Sequence, residues 1–363
     1  MSKDKNKLYF FDFALLWCGA AISISEIITG GLLAPLGFKK GLLAILLGHV
    51  IGTTIFIFAG VIGTRENVSS MESTKISFGL YGSYIFSILN ILQLVGWTAI
   101  MINTAAQSMN MISKKIWSIN SIALWSFVIA LLIIFLIASG MTGFKKINSV
   151  AVILLFILTL VLGYLTFKSG QLDSHIKGSI SFGAALELVV TMPLSWLPMV
   201  ADYTKFAASE KGGAFGSFSG YFIGSSWMFI IGLASAIVFK NSDPSFIMLS
   251  SGLGIIGFGI VILSTVTTTF MDAYSAGFSL LNIIPKLNEK IIAIIITLIG
   301  AVISLIFNMN NYSNFLYALG SVFAPLFAIL LTDYFIKKHT KISDKLIINF
   351  GAVIIWILGI ITY

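Results

Sequence analysis

Residues 121–141 read SIALWSFVIALLIIFLIASGM, a run without a charged side chain that is long enough to cross about 30 Å of hydrocarbon as a helix. Inside lipid every backbone N–H and C=O must find a partner within the protein, so a spanning chain is either a helical bundle or a closed barrel. The unbroken apolar run selects helices, because barrel strands alternate apolar with polar residues. The rest of the chain resembles it in composition: hydrophobic residues fill 58% of 363 positions and charged residues 10%. Mean hydropathy is +1.00, a value at which a water-soluble domain of this size would aggregate. The fold class is therefore an all-α integral membrane protein.

Outward from that run, apolar stretches recur near 9–35, 40–62, 79–112, 120–141, 147–167, 182–206, 214–238, 251–281, 289–308, 313–335 and 345–362. They make about 11 transmembrane helices in one domain over 1–363, with connections too short for a soluble domain. The formal charge of +8 sits in those connections. It is not gathered on one amphipathic face, so it reads as a topology signal and not as a nucleic-acid site. With the N-terminus cytoplasmic, 15 of the 22 basic residues fall inside and 7 outside, the orientation that positive-inside bias favours. An odd number of spans then leaves Tyr363 outside. MSKDKNK and the first apolar stretch lack the cleavage pattern of a removable signal peptide. Cys18 is the only cysteine, which excludes intramolecular disulfides and cysteine metal clusters. No paired histidines and no nucleophile with its base stand out, so the residues argue against an enzyme.

Two spans are interrupted. WCGAAISISE (17–26) puts Gly, Ala and Ser at mid-membrane, and TMPLSWLP (191–198) loses two backbone donors at Pro193 and Pro198. Breaks five spans apart match the two halves of an inverted repeat, about 9–167 and about 182–335, with an extra helix at about 345–362. Three acids, Glu26, Glu187 and Asp272, fall well inside spans, where no Lys or Arg lies at comparable depth. Each ionised carboxylate at the centre would cost about 2.5–3.5 kcal/mol, so each must face a cavity, be protonated, or meet a cation from outside the chain.

In LSTVTTTFMDAYSAG (263–277), helical spacing places Thr265, Thr268 and Asp272 on one face, with Thr269 beside them and Ser264 and Thr267 flanking. Hydroxyl and carbonyl oxygens suit a hard cation of low charge. In QLVGWTA (93–99), Gln93 and Trp97 are four apart on one face, an amide that can read a ring edge and a surface that can stack on a ring. Trp196, beside the break in the sixth span, offers a second stacking face. Trp17, Trp117 and Trp227 fit interfacial anchors. His49, in LLGHVIG, reads as an interhelical donor, with a proton relay as the other reading.

At FALLWCGAAISISEIITGGLLAPLG, QLVGWTA, SWLPMVADYTKFA and STVTTTFMDAYSAG the chain resembles the nucleobase and cation symporter family of type 1. Within it, the hydroxymethylpyrimidine transporter branch is most similar. The resemblance implies a leucine-transporter-like fold of two inverted five-helix repeats, with helices 1 and 6 broken. It implies a sodium site from the Gly19 and Ile22 carbonyls, the Thr267 and Thr268 hydroxyls and the Ser264 carbonyl, and a ring site from Trp97, Gln93, Trp196, Ser23 and Glu26. Asp272 stands where other members carry an amide, and Met101 where hydantoin-type members often carry glutamine. A carboxylate can accept from an exocyclic amine, which argues for an aminopyrimidine over a hydantoin.

The expected activity is secondary active import of hydroxymethylpyrimidine, coupled to sodium or protons by alternating access. The other readings are a permease for cytosine, another nucleobase or thiamine, and, from different classes, a channel or a membrane-embedded enzyme. No cofactor is expected beyond the co-transported ion. The expected partners are a small heterocycle and the lipid of the plasma membrane, without nucleic acid or an obligate protein partner.

Overall fold

The computed structural model describes residues 7–168, 170, 172, 178–241, 246, 249, 254–308, 311–342 and 346–363. Of the basic residues counted for topology, Lys3, Lys5, Lys177 and Lys345 lie outside them.

Regular structure among the described residues is helical apart from one isolated bridge between Leu8 and Ala207. The helices are α1 (Phe10–Ala21), α2 (Ile24–Leu32), α3 (Phe38–Glu66), α4 (Ser70–Ser73), α5 (Lys75–Trp117), α6 (Ile122–Lys168), α7 (Phe182–Leu194), α8 (Leu197–Thr204), α9 (Glu210–Phe239), α10 (Gly254–Ile283), α11 (Glu289–Ser304), α12 (Tyr312–Leu331) and α13 (Phe350–Thr362). The pairs α1–α2 and α7–α8 are the interrupted first and sixth spans. The fourth and fifth spans form one helical run, α6, broken at Gly140 (φ 70, ψ −177). Among the described residues, seven helices are long and apolar enough to cross a membrane, and an eighth is added if the bent α1–α2 pair counts as one span.

Two expected spans are shorter than the hydropathy suggests, and both have a polar reason. α11 stops at Ser304 instead of about 308, where the Ser304 carbonyl accepts from Asn103 Nδ2 on α5 at 2.6 Å. α13 starts at Phe350 and not near 345, and its 13 residues reach only about 20 Å at 1.5 Å per residue. The segment before it leaves the helix to pair with the start of α5. The Leu80 and Tyr81 N–H groups donate to the Leu346 and Ile347 carbonyls at 3.0 Å each, and the Asn349 N–H donates to the Phe78 carbonyl at 3.0 Å.

Gly79 makes that pairing possible. Its backbone (φ 77, ψ −178) lies in a region that other residues rarely adopt, and a Cβ there would approach the Leu346 oxygen to 2.6 Å. A side chain at such a φ/ψ costs about 1–3 kcal/mol before any clash. Gly79→Ala should therefore lower the thermal unfolding temperature more than Gly140→Ala, whose Cβ would meet only the flexible Lys290 end.

The helices sort into two groups. The α1–α2, α3, α7–α8 and α9 elements pack on one another as a bundle, and α5, α6, α10 and α11 form a scaffold. The groups meet where α1 packs against α6 and α10. Polarity is inverted relative to a soluble protein: Phe135 and Val150 are 71% and 62% exposed, while His49 and Asn90 are completely buried. This is the arrangement expected when the solvent is hydrocarbon. One end of the bundle is fastened by Arg65, whose guanidinium donates to both Glu210 carboxylate oxygens at 2.7 and 2.8 Å, and by the backbone pairing of Leu8 with Phe206 and Ala208.

Candidate functional site

The first span breaks through a specific rearrangement of its hydrogen bonds. Ile22 leaves helical geometry (φ −80, ψ 79), and the Ser23 N–H turns to the Ala21 carbonyl at 2.9 Å instead of reaching back to Gly19. Ser23 Oγ then caps α2 by accepting the Glu26 N–H at 3.4 Å, the donor that would otherwise have served Ile22. The Gly19 and Ile22 carbonyls thus lose their usual helical donors, and the two half-helices meet at a 61° bend. The break in the sixth span is shallower. Ser195 N–H is shared between the Thr191 (2.8 Å) and Met192 (3.2 Å) carbonyls, Trp196 N–H reaches Pro193, and the regular pattern resumes at Val200. Two prolines supply no donors here, so the chain tightens into a turn without unwinding.

Between these breaks lies a small cavity that is open at its rim. The first span contributes Ala20, Ser23, Ser25 and Glu26, and the third Trp97 and Met101. Met192, Ser195, Trp196 and Met199 come from the sixth span, and Thr268 and Asp272 from α10. The walls are thus the two broken helices of the bundle and two straight helices of the scaffold.

Ser23, Glu26, Trp97, Trp196 and Asp272, singled out from the sequence, all line this space; Gln93 does not. Its Nε2 donates to Asn90 Oδ1 at 2.6 Å, and its Oε1 is buried without a partner. Asn90 was not singled out, yet its amide donates to Ser279 Oγ at 2.7 Å and to the Pro198 carbonyl at 3.1 Å, tying together the third, eighth and sixth spans. Its place three residues before Gln93 on the same face was the available signal. Trp97 is held edge-on by Phe315 (5.4 Å between centroids) and Trp196 by Trp17 (5.6 Å).

Trp17 is therefore not an interfacial anchor. It is completely buried among Phe56, Trp196 and Tyr203, because this face of α1 packs into the bundle. The methionines were missed as well. Met192, Ser195, Trp196 and Met199 follow the i, i+3, i+4, i+7 spacing of one helix face.

Of the three acids expected inside spans, Glu187 lies outside the cavity and accepts from the Tyr363 hydroxyl at 2.6 Å. Glu26 accepts from the Tyr221 hydroxyl at 2.9 Å, and its other oxygen lies 2.6 Å from Ser225 Oγ. Asp272 makes no hydrogen bond among the described residues and is 97% buried, being 3% exposed. Another buried acid, Asp202, accepts the Ser70 N–H at 2.9 Å and steadies α4.

On α10, Thr267 Oγ1 donates to the Leu263 carbonyl at 2.8 Å and lies 3.3 Å from the Ser264 carbonyl. Thr268 Oγ1 and Thr269 Oγ1 are buried and unpartnered. An unpartnered buried hydroxyl is costly, and Thr268 also lines the cavity. It and the carbonyls freed on α1, which packs against α10, are neutral oxygens of the kind that could hold a small monovalent cation.

Known proteins resemble this chain in sequence and in fold. The cytosine permease of Escherichia coli K12 is 26% identical over 346 residues, covering 92% of this chain and 80% of that protein. The vitamin B6 transporter TPN1 of Saccharomyces cerevisiae is 24% identical over 390 residues, covering 93% of this chain and 65% of its own. Among solved structures, Mhp1, a nucleobase-cation-symport-1 family transporter captured closed with bromovinylhydantoin, superposes with a TM-score of 0.85 at 18% identity. The match covers 98% of this chain and 90% of that one. At that identity the likeness shows the fold, which is leucine-transporter-like. The sequence profile described as "Permease for cytosine/purines, uracil, thiamine, allantoin" matches residues 2–362. That match spans nearly the whole chain, and the protein belongs to this nucleobase and cation symporter family, whose members are membrane transporters and not enzymes.

Proposed function

We propose that this transporter imports an aminopyrimidine, 4-amino-5-hydroxymethyl-2-methylpyrimidine, together with sodium. The observation that carries the reading is the cavity in which Trp97 and Trp196 stand with a carboxylate, Asp272, that has no hydrogen-bond partner among the described residues. Aromatic faces favour a flat ring. A buried carboxylate favours a ligand that brings hydrogen-bond donors, as an exocyclic amine does, and rejects one that presents only acceptors. Sodium would sit between the Gly19 and Ile22 carbonyls and the oxygens of Ser264, Thr267 and Thr268. The first span would then touch both cargoes, so each should tighten the binding of the other. The plasma membrane and a cytoplasmic N-terminus complete the reading.

Uptake of the labelled pyrimidine into proteoliposomes tests it. Accumulation should follow an inward sodium gradient and vanish when that gradient is collapsed; accumulation that follows a pH gradient alone would reassign the coupling ion. In the same assay Thr268→Ala should raise the sodium concentration for half-maximal uptake about tenfold, equivalent to about 1.4 kcal/mol, while the rate in saturating sodium is kept. An unchanged sodium dependence would move the ion away from α10.

A further inference from the structure

Beside the cavity, a hydrogen-bonded row crosses three helices. Glu26 Oε2 on α2 lies 2.6 Å from Ser225 Oγ on α9, Ser225 Oγ lies 2.5 Å from His49 Nε2 on α3, and His49 Nδ1 lies 2.8 Å from the Ile45 carbonyl. His49 and Ser225 are completely buried and Glu26 is 2% exposed. Of the three, only Glu26 lines the cavity, and no lysine or arginine does.

Counting hydrogens restricts the row to two forms. The Ile45 carbonyl can only accept, so Nδ1 carries a hydrogen. Ser225 has a single hydroxyl hydrogen to give. If it goes to Glu26, Nε2 must donate to Ser225, and the row is an imidazolium and a carboxylate. When it goes to Nε2 instead, Glu26 must donate to Ser225, and the row is neutral. Both forms hold the same two protons.

The neutral form avoids burying two charges. The edge-on ring of Phe229 stands 5.0 Å from His49. The titratable groups facing Glu26 are Tyr221 on α9 and Tyr312 on α12, with Asp272 lining the same cavity, and none of them supplies a positive charge.

We propose that Glu26, Ser225 and His49 form a closed two-proton relay, neutral while the cavity is empty, that converts Glu26 to a carboxylate when an amine-bearing ring or a cation enters. The Glu26 O–H bond breaks and its proton passes to Ser225 Oγ, while the Ser225 hydroxyl proton passes to His49 Nε2. The products are one carboxylate and one imidazolium, and no proton is exchanged with water. The row ends at a backbone carbonyl, so it stores a proton and does not conduct one. Its use to the transporter is a wall group that becomes an acceptor only when a donor arrives. The proposal deepens the aminopyrimidine reading of the same cavity.

Infrared difference spectroscopy on the full chain in detergent tests it. Without ligand, the wild type should show a protonated-carboxyl band that Glu26→Gln removes. Carboxyl-labelled glutamate should shift that band in the wild type, an assignment that needs no substitution. On adding 4-amino-5-hydroxymethyl-2-methylpyrimidine in sodium, the band should disappear and an imidazolium signal should appear. Calorimetry in buffers of different ionisation enthalpy should then read no proton exchange for the wild type and proton release for His49→Gln, which has no place to store the proton.

A glutamate band absent from the protonated-carboxyl region in the ligand-free protein overturns the neutral relay. Equal proton balance for wild type and His49→Gln overturns the transfer. Failure of any aminopyrimidine to bind defeats the transport reading instead, and the ligand-free spectrum still decides the relay.

Discussion

Asp272→Asn removes aminopyrimidine binding and leaves the empty protein as stable as the wild type or more so. The expectation follows from the isolation of this carboxylate: no described group donates to it, so the fold loses no hydrogen bond when its charge is removed. The ligand, in contrast, loses a charge-assisted hydrogen bond of about 1.5–3 kcal/mol. That is a loss of affinity of roughly tenfold to a hundredfold or more. Titration calorimetry on purified protein reads the affinity, and thermal unfolding without ligand reads the stability. Retained affinity would place the ring elsewhere; a large fall in the stability of the empty protein would make Asp272 a structural group.

The second large effect concerns the surface against which the broken first span lies. A Cβ on Gly232 of α9 would come 1.9 Å from the Ile27 carbonyl oxygen, and one on Gly220 would come 2.2 Å from that of Ala14. Here the backbones themselves are in contact, the close approach that small residues permit between membrane helices. Overpacking against side chains costs about 1–3 kcal/mol, and a main-chain obstacle yields less readily. Gly232→Val must push α2 away and carry Ser23 and Glu26 with it. Folded yield and unfolding temperature should both fall sharply, and any protein recovered should bind ligand poorly. Gly259→Val, where a Cβ meets nothing within 4 Å, is the matched control and should behave as wild type. A Gly232→Val protein that unfolds at the wild-type temperature would contradict the packing described.

Much of this molecule is legible from hydropathy because lipid imposes a simple rule on long helices. The positions of the spans, the unwinding within WCGAAISISE and the polar face around Asp272 all follow from local composition. Features decided by distant partners were not legible. Nothing in QLVGWTA says that Asn90 engages the Gln93 amide, which leaves Trp97 at the cavity without the amide one turn away. Trp17 resembles an interfacial tryptophan until its face of α1 packs into the bundle. The late start of α13 depends on a backbone pairing with Gly79–Tyr81, more than 250 residues earlier, and carries no local sign. The row from His49 to Glu26 joins residues that are unremarkable singly; only their contact through Ser225 gives them a joint chemistry.

The most direct measurement for the central claim is the thermal unfolding temperature of the purified protein with a panel of flat heterocycles, in sodium and in choline buffer. Linkage makes stabilisation by a ligand a reading of its affinity, and a larger shift in sodium a reading of coupling. The account predicts that 4-amino-5-hydroxymethyl-2-methylpyrimidine gives the largest upward shift and that sodium enlarges it. A shift with hydantoins or purines but with no aminopyrimidine, or equal shifts in sodium and choline, would contradict it.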